Sequence, residues 1–420
     1  MDSNYNDWKH GVFSEFVNIN PSRHIRKNQI VKFVSMEAVE PRHKYVKSIE
    51  MRAFSGGSKF CNNDTLFARI TPSLEHGKTC FVNFLEDNEL GAGSTEFIVF
   101  SEKEGMSYSE FIYYLSCSDE IREPTIKSMT GTSGRQRVDT NVFEHIPVKM
   151  PPLKEQKAIS RILSDLDSKI ELNHQMNKTL ESIAQAIFKH WFIDFEFPDE
   201  NGQPYKSSGG EMVDSELGEI PKGWKTSRLG ECVEISGGST PKTSESNFWN
   251  DGKFHWATPK DLSDLTSSVL TDTLRKITES GLKSIGNKLY PKGSLLLSSR
   301  APIGYLAITD IDTSVNQGII VIPPRGDLSP PYLFSWCREK MSDIQNMANG
   351  STFLEISKGN FRSMGVILPA EKTLSQYDSL VFSIFNRMIL NSRQSVSLQS
   401  IRNELLPKLM SGKIRVPLEE

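Results

Sequence analysis

Residues 151–191, PPLKEQKAISRILSDLDSKIELNHQMNKTLESIAQAIFKHW, carry the pattern that most restricts the fold. Alternating steps of four and three pick out Ile159, Leu163, Leu166, Ile170, Asn173, Asn177, Leu180, Ala184, Ile187 and Trp191 without a break. That is the spacing of a helix packed along its whole length against another helix. Past the opening prolines no Pro or Gly interrupts it. About 40 residues at roughly 1.5 Å each would make a rod on the order of 60 Å long, more than one globular core needs.

The stripe returns later in the chain as Tyr377, Val381, Ile384, Met388, Asn391, Ser395, Leu398, Arg402, Leu405 and Leu409. Asn173 falls on Asn391, an offset of 391 − 173 = 218, and Leu180 falls on Leu398. Each helix follows a proline that marks its boundary, Pro152 or Pro369. Antiparallel pairing would bring the polar midpoints together. Asn173, Asn177, Asn391 and Ser395 are therefore expected to form a polar layer that fixes the register of the pair.

The segments before each helix repeat too. Trp8-Lys9 lines up with Trp224-Lys225, Phe33 with Trp256, Leu66-Phe-Ala-Arg69 with the run from Leu295 to Arg300, and Ser94–Val99 with Asn316–Val321. Gly131-Thr-Ser matches Gly350-Ser-Thr, and Asn141-Val-Phe matches Asn360-Phe. The first 150 residues read as short strands (VKFVSM, TLFARI, KTCFVNFL, STEFIVF, HIPVKMP) around a helical FIYYLSCSDEIRE. The expected fold class is α+β: two mixed α/β domains separated by two long antiparallel coiled-coil helices, with a pseudo-two-fold internal repeat. The expected divisions are a first domain over 1–152, a long helix over 153–197, a linker over 198–221, a second domain over 222–369 and a second long helix over 370–416. The linker, which reads either as a tether or as a connection that hugs the surface, is assigned on its Gly, Pro, Ser and acidic content.

Five cysteines are scattered and form no CxxC pair, which argues against a disulfide framework or a zinc site and for a reducing, cytoplasmic setting. The polar N-terminus does not read as a signal peptide, and no run of 18 apolar residues reads as a membrane span. A net charge of −3 hides strong segregation. Residues 20–60 hold nine Lys/Arg against three Glu, a balance of +6, whereas residues 84–123 hold two bases against ten acids, a balance of −8. Residues 236–305 hold nine bases against six acids. One face is thus suited to a polyanion. Two similar heads suit a target with two similar features, and duplex DNA presents its major groove to one face every 34–36 Å.

The phrases DSELGEIPKGW, SRAPIGY and NQGIIVIPP, the G-S-T loop ahead of LPA or MPP, the EQ that opens the first long helix and the closing ELLPKLMSGKI occur in order along the chain. Together they resemble the specificity subunits of type I restriction–modification enzymes over essentially the whole length. The first half departs most: FARITPSLEHGK stands where the second half has the cleaner Arg300, Pro302 and Gly304. The resemblance implies that each domain is a target-recognition domain reading one half of a split double-stranded DNA site. The helices would set the unread gap and dock two methyltransferase subunits, and restriction/translocase subunits would join the complex. S-adenosylmethionine and ATP with magnesium would sit on those partners, with no cofactor, metal or catalysis in this chain.

Half-sites normally differ, so residues that both copies share cannot supply the difference. The Arg69/Arg300 pair is therefore expected to be a scaffold, phosphate or partner contact, and base readers should lie where the copies diverge. Arg135, Gln136 and Arg137 replace Phe353-Leu354-Glu355, and Arg and Gln suit bidentate contacts to guanine and adenine. Arg23, Arg26, Lys27, Lys44 and Lys47 are expected on phosphates. The second copy offers Lys242, Thr243 and Lys260, with Arg300 beside them.

Enzyme readings fare poorly. Ser329-Pro-Pro-Tyr332 looks like a methyltransferase loop and Leu90-Gly-Ala-Gly-Ser94 like a cofactor loop, but they lie in different copies and a strand pattern follows the second. Gly77-Lys-Thr79 resembles the end of a P-loop, yet Pro72 stands where its first Gly is required. Without the family resemblance, paired domains on a coiled coil would also fit an adaptor that binds other proteins.

Overall fold

The computed structural model describes residues 7–132, 134–300, 302–349 and 354–417. Ser133, the Gly350-Ser-Thr loop and Phe353 lie outside the described residues. The chain forms two compact units, residues 1–170 with 397–420, and residues 171–396.

In the first unit Lys9–Val12 pairs antiparallel with Pro147–Met150, Lys9 opposite Met150. A four-residue helical turn follows, Phe13–Phe16, whose Glu15 carboxylate accepts the Val12 N–H at 3.1 Å. One sheet orders 17–19, 97–102, 65–68 and 79–81, all antiparallel. A second orders 50–53, 30–34, 91–93 and 58–60, with 30–34 and 91–93 parallel. Phe13, Phe67, Phe100 and Phe143 form the aromatic centre, with ring centroids 5.1–6.2 Å apart.

The second unit rebuilds this plan. Lys225–Arg228 pairs antiparallel with Gly365–Leu368, and the turn Leu229–Cys232 offers the Glu231 carboxylate to the Arg228 N–H. Its five-stranded sheet orders 236–237, 319–322, 295–298, 306–309 and 269–270. Its three-stranded sheet again joins a parallel pair, 254–257 with 313–315.

The long helices are Leu153–Phe188, continued by a π-helical turn Lys189–Ile193, and Glu371–Met410. None of the stripe residues named above is exposed. Within the first unit the buried Glu155 receives Arg415 and the Trp8 indole, and Asp167 receives Arg402. Within the second, Asn173 meets Asn391, Gln394 and Ser395, and Asn177 meets Met388, Asn391 and Ser392. Partner numbers fall as helix numbers rise, so the pairing is antiparallel in each unit. The Glu155-Gln156 pair explains its place in the sequence. Gln156 is fully buried and ties the helix start to the Met106 and Pro151 carbonyls and the Tyr108 N–H. Gly412 ends the second helix at φ +70, and a Cβ there would press on the Trp8 ring at 3.3 Å.

The polar layer yields a direct expectation. Asn177→Ala strands Asn391, whose side chain donates to the Asn177 carbonyl oxygen at 2.9 Å, and should cost about 1–3 kcal/mol in urea unfolding. Replacing Asn177 and Asn391 together by Leu should recover that loss while loosening the register. If the single substitution costs nothing, the layer has no energetic role.

Of the two readings of the linker, the free tether is the one to correct: 198–221 is folded onto the second unit. Met212–Ser215 and Gly218–Pro221 form a hairpin. Phe197 stacks between Tyr205, at 4.6 Å, and Trp224, at 4.9 Å. Three rings within one stretch bury enough apolar surface to order a segment whose composition alone also allows a tether.

Candidate nucleic-acid interface

Sheet register aligns the copies residue by residue. Phe97 opposes Ala68 as Ile319 opposes Ser298. The next N–H groups, on Arg69 and Ser299, bond to the Glu96 and Gly318 carbonyls. Ile70 then bridges to Arg137 as Arg300 bridges to Glu355. Arg69 is thus equivalent to Ser299, and Arg300 to Ile70, which corrects the sequence pairing of the two arginines by one position.

Each unit opens a cleft beside this register, and the two clefts share three equivalent positions, Arg69/Ser299, Thr95/Gln317 and Phe97/Ile319. In the first its volume is about 380 Å³, lined by Arg23, Gly57, Lys59, Arg69, Thr95 and Phe97 among others. In the second it is about 400 Å³, lined by Ser299, Gln317, Ile319, Asn349, Glu355 and Lys358 among others. Thr95 and Phe97 occupy the register positions of Gln317 and Ile319. The scaffold repeats and the lining does not. The charges beside the clefts differ as well. Arg137 grips Glu96 through both its Nε and Nη2, whereas the equivalent Glu355 pairs with Arg300 at 3.6 Å.

The basic residues sort by burial. Arg26 and Lys27 are exposed next to the strand 30–34, and Lys47 is 63% exposed with Glu40 at 3.1 Å. Arg135 is exposed, and Gln136 is half-buried with its backbone bonded to Thr71. In the second unit Lys242 and Thr243 are exposed, as is Lys260, which pairs with Asp264 at 2.6 Å. Arg300 is half-buried. Lys44 and Arg23 do not present their charge to solvent. Lys44 is buried among Phe81, Tyr113 and Tyr114 and donates to Glu110 at 2.6 Å and Ser164 at 2.9 Å. Arg23 is held by the buried Asp64, with Ser101 at 3.0 Å. Buried cations need such partners, so both residues are correctly read as internal braces and not as surface contacts. Arg137 is also committed, to Glu96.

Sequence reasoning missed two cations stacked on rings: Arg52 lies 4.1 Å from the Phe33 centroid and Arg275 lies 3.5 Å from that of Trp249. Trp249 also donates to the Lys242 carbonyl at 3.0 Å, which places the second unit's basic loop over its aromatic floor. A Trp flanked by Lys242 and Lys253 in sequence was the available signal. The enzyme-like motifs have structural explanations. The Ser329 hydroxyl caps the helix Pro330–Glu339, and 91–93 is a strand. Among the described residues no cluster of three or more His, Cys, Asp or Glu could hold a metal ion. No described helix is long and apolar enough to cross a membrane.

The family model for the type I restriction modification DNA specificity domain matches residues 14–182 and again 221–392. The MjaIX specificity subunit of a type I restriction enzyme from Methanocaldococcus jannaschii is 30% identical over 73% of this chain and 69% of its own. The HindI specificity subunit from Haemophilus influenzae is 27% identical over 84% and 86%. The crystal structure of a type I restriction-modification S subunit from M. genitalium covers 98% of each chain with a TM-score of 0.52 at 16% identity, a likeness of fold.

Proposed function

We propose, from the premise that this chain belongs to the family of type I restriction–modification DNA specificity subunits, that it reads a split duplex target, one half-site with each unit, and performs no chemistry itself. The observation that carries this reading is one scaffold made twice, with a cleft in each copy that meets the other's at three equivalent positions and carries different side chains there. Two unlike half-sites require that combination. A shared frame sets how each unit approaches the duplex, and side chains that differ between the copies on and beside these clefts choose the bases.

In the first unit Arg135 and Gln136 are the base readers, and Arg26, Lys27 and Lys47 hold phosphates. In the second, Lys242, Thr243, Lys260 and Arg300 border the DNA. The test uses the complex of this chain with its methyltransferase subunits, on duplexes carrying bipartite sites. One split sequence should bind about 10³-fold or more above random duplex. Arg135→Ala or Gln136→Ala should relax discrimination at a single half-site by about 1–3 kcal/mol. Lys27→Ala should weaken all sequences alike and reduce the salt slope by about one. Salt-insensitive binding, or both half-sites relaxing together, would contradict the assignment.

The long helices supply the docking surface for two methyltransferase subunits, which hold S-adenosylmethionine, while restriction/translocase subunits hold ATP with magnesium. All of this takes place in the cytoplasm. Support comes from apolar side chains left in solvent on otherwise paired helices: Ile162, Leu172 and Ile183 on the first, Leu380, Phe382, Leu390, Val396 and Ile401 on the second. Phe382→Glu with Leu390→Glu, at positions 45% and 54% exposed, should leave the chain folded and abolish co-purification with the methyltransferase. Undiminished co-purification would move the docking surface elsewhere.

A further inference from the structure

Between the helix Ser109–Cys117 and the end of the second long helix, the first unit has a half-open cavity of about 190 Å³. Arg42, Thr79, Tyr113, Arg122, Arg402 and Asn403 contribute to its wall. Two polar atoms of that wall, the Thr79 hydroxyl and Arg122 Nε, are buried without a hydrogen-bond partner among the described residues. Thr79 as a whole is 1% exposed. A buried polar group left unpaired costs about 1–3 kcal/mol, and two on one small cavity mark a place where something else completes them.

Charge narrows what that is. Arg42, Arg122 and Arg402 face the cavity against Asp119 and Asp167, three positive charges to two negative, a balance of +1. Asp167 is already engaged through both oxygens, by Arg402 and by the Tyr114 hydroxyl at 2.7 Å. Arg122 is aimed by its other nitrogen, which donates to the Leu74 and Glu75 carbonyls at 3.1 and 3.3 Å. Gly77 brings the two outer arginines together. At its φ of +85, a Cβ would lie 3.3 Å from the Arg122 guanidinium and 3.4 Å from Arg42 Cγ. The Gly77 carbonyl in turn holds the Arg42 N–H at 3.1 Å, with Arg42 itself at φ +61.

The fold does not demand this cavity. The stripe offset of 218 places Phe385 at the position of Asp167 and Ala184 at that of Arg402. The matching helix starts, Tyr108 and Ser329, place Phe334 at that of Tyr113. In the second unit Phe334 and Phe385 pack edge to face, with ring centroids 5.4 Å apart. One copy fills the space with apolar groups and the other keeps it polar, basic and open.

We propose that this cavity binds a small oxyanion, phosphate or a carboxylate of similar size, on Arg122 Nε, the Thr79 hydroxyl and Arg42. The wall combines domain residues with Arg402 and Asn403 of the second long helix, so a bound anion fastens that helix to its domain. The test is thermal unfolding of the full chain titrated with inorganic phosphate, and separately with acetate, against chloride at constant ionic strength. A saturable rise on the order of 2–4 °C is expected with phosphate or acetate and none with chloride. Thr79→Val should melt no lower than the unaltered chain without anion, because a methyl replaces a stranded hydroxyl, yet lose the anion response. Arg42→Gln, at an exposed position, should raise the half-saturating concentration about tenfold. The proposal fails if neither anion acts beyond chloride, the outcome for a cavity that holds only water. It also fails if Thr79→Val responds as the unaltered chain does.

Discussion

Replacing Arg402 with methionine is expected to lower the stability of the first unit by about 3–5 kcal/mol, because it strands a buried carboxylate. Asp167 is 4% exposed and accepts from Arg402 on one oxygen and from the Tyr114 hydroxyl on the other. Burial, reinforced by the Asp167 charge, pushes the Tyr114 phenol far above its ordinary value of 10, so it stays a donor. A single phenol cannot compensate a buried anion once the guanidinium is gone. The second unit shows how the same place can be filled without charge, with Phe385 and Ala184 at the two positions. The double variant Asp167→Leu with Arg402→Met should therefore recover most of the loss. Urea unfolding of the single and double variants checks this, and a single-variant cost below about 1 kcal/mol would mean that water reaches Asp167.

That ion pair also marks what a sequence can and cannot reveal. The helix pair was legible because its signal is periodic and self-checking: twenty stripe positions in two matched sets leave little freedom, and Asn173, Asn177 and Asn391 meet as their spacing implies. Arg402 stood on the same stripe as a charge on an apolar seam, which calls for an acid opposite. Its partner Asp167 lies one residue off the complementary line, where periodicity does not look. The repeated domains were legible through short shared phrases, yet such phrases align landmarks and not registers. Arg69 and Arg300 matched as letters, while the ladders to 97–102 and 319–322 set them one residue apart.

The basic cluster at 20–60 shows the converse limit. A charge tally treats all nine cations alike, but Arg23 and Lys44 are neutralised by Asp64 and Glu110, far away in sequence. Only the fold decides which cations remain outside. Arg26 and Lys27 do, and they keep the polyanion reading for this segment. For a related reason composition left open whether 198–221 is a free tether or a packed connection. Its Gly and Ser content reports local freedom, whereas Phe197, Tyr205 and Trp224 decide where it packs.

If the long helices set the unread gap, lengthening them should move the preferred target and abolish binding to the original one, a loss of about 10³-fold or more toward the level of random duplex. The insertions belong between Ile170 and Glu171 and between Val396 and Ser397, where the chain passes from one unit to the other. There they leave the hydrogen bonds inside each unit intact. Whole heptads keep the seam in phase. One heptad in each helix adds about 10 Å, equal to about three base pairs at roughly 3.4 Å each. Three base pairs also turn the duplex by about 100°, given 10–10.5 per turn, and a coiled pair with a strict seven-residue repeat supplies no matching rotation. A single heptad should therefore shift the optimum by three base pairs but bind weakly, because the DNA must untwist. Three heptads add about 31 Å, close to one duplex turn of 34–36 Å, and should restore strong binding at a gap nine or ten base pairs longer. Methylation of a duplex series that varies only the gap measures both outcomes. An optimum that stays in place with one and with three heptads would remove the helices from the control of spacing and leave that role to the partner subunits.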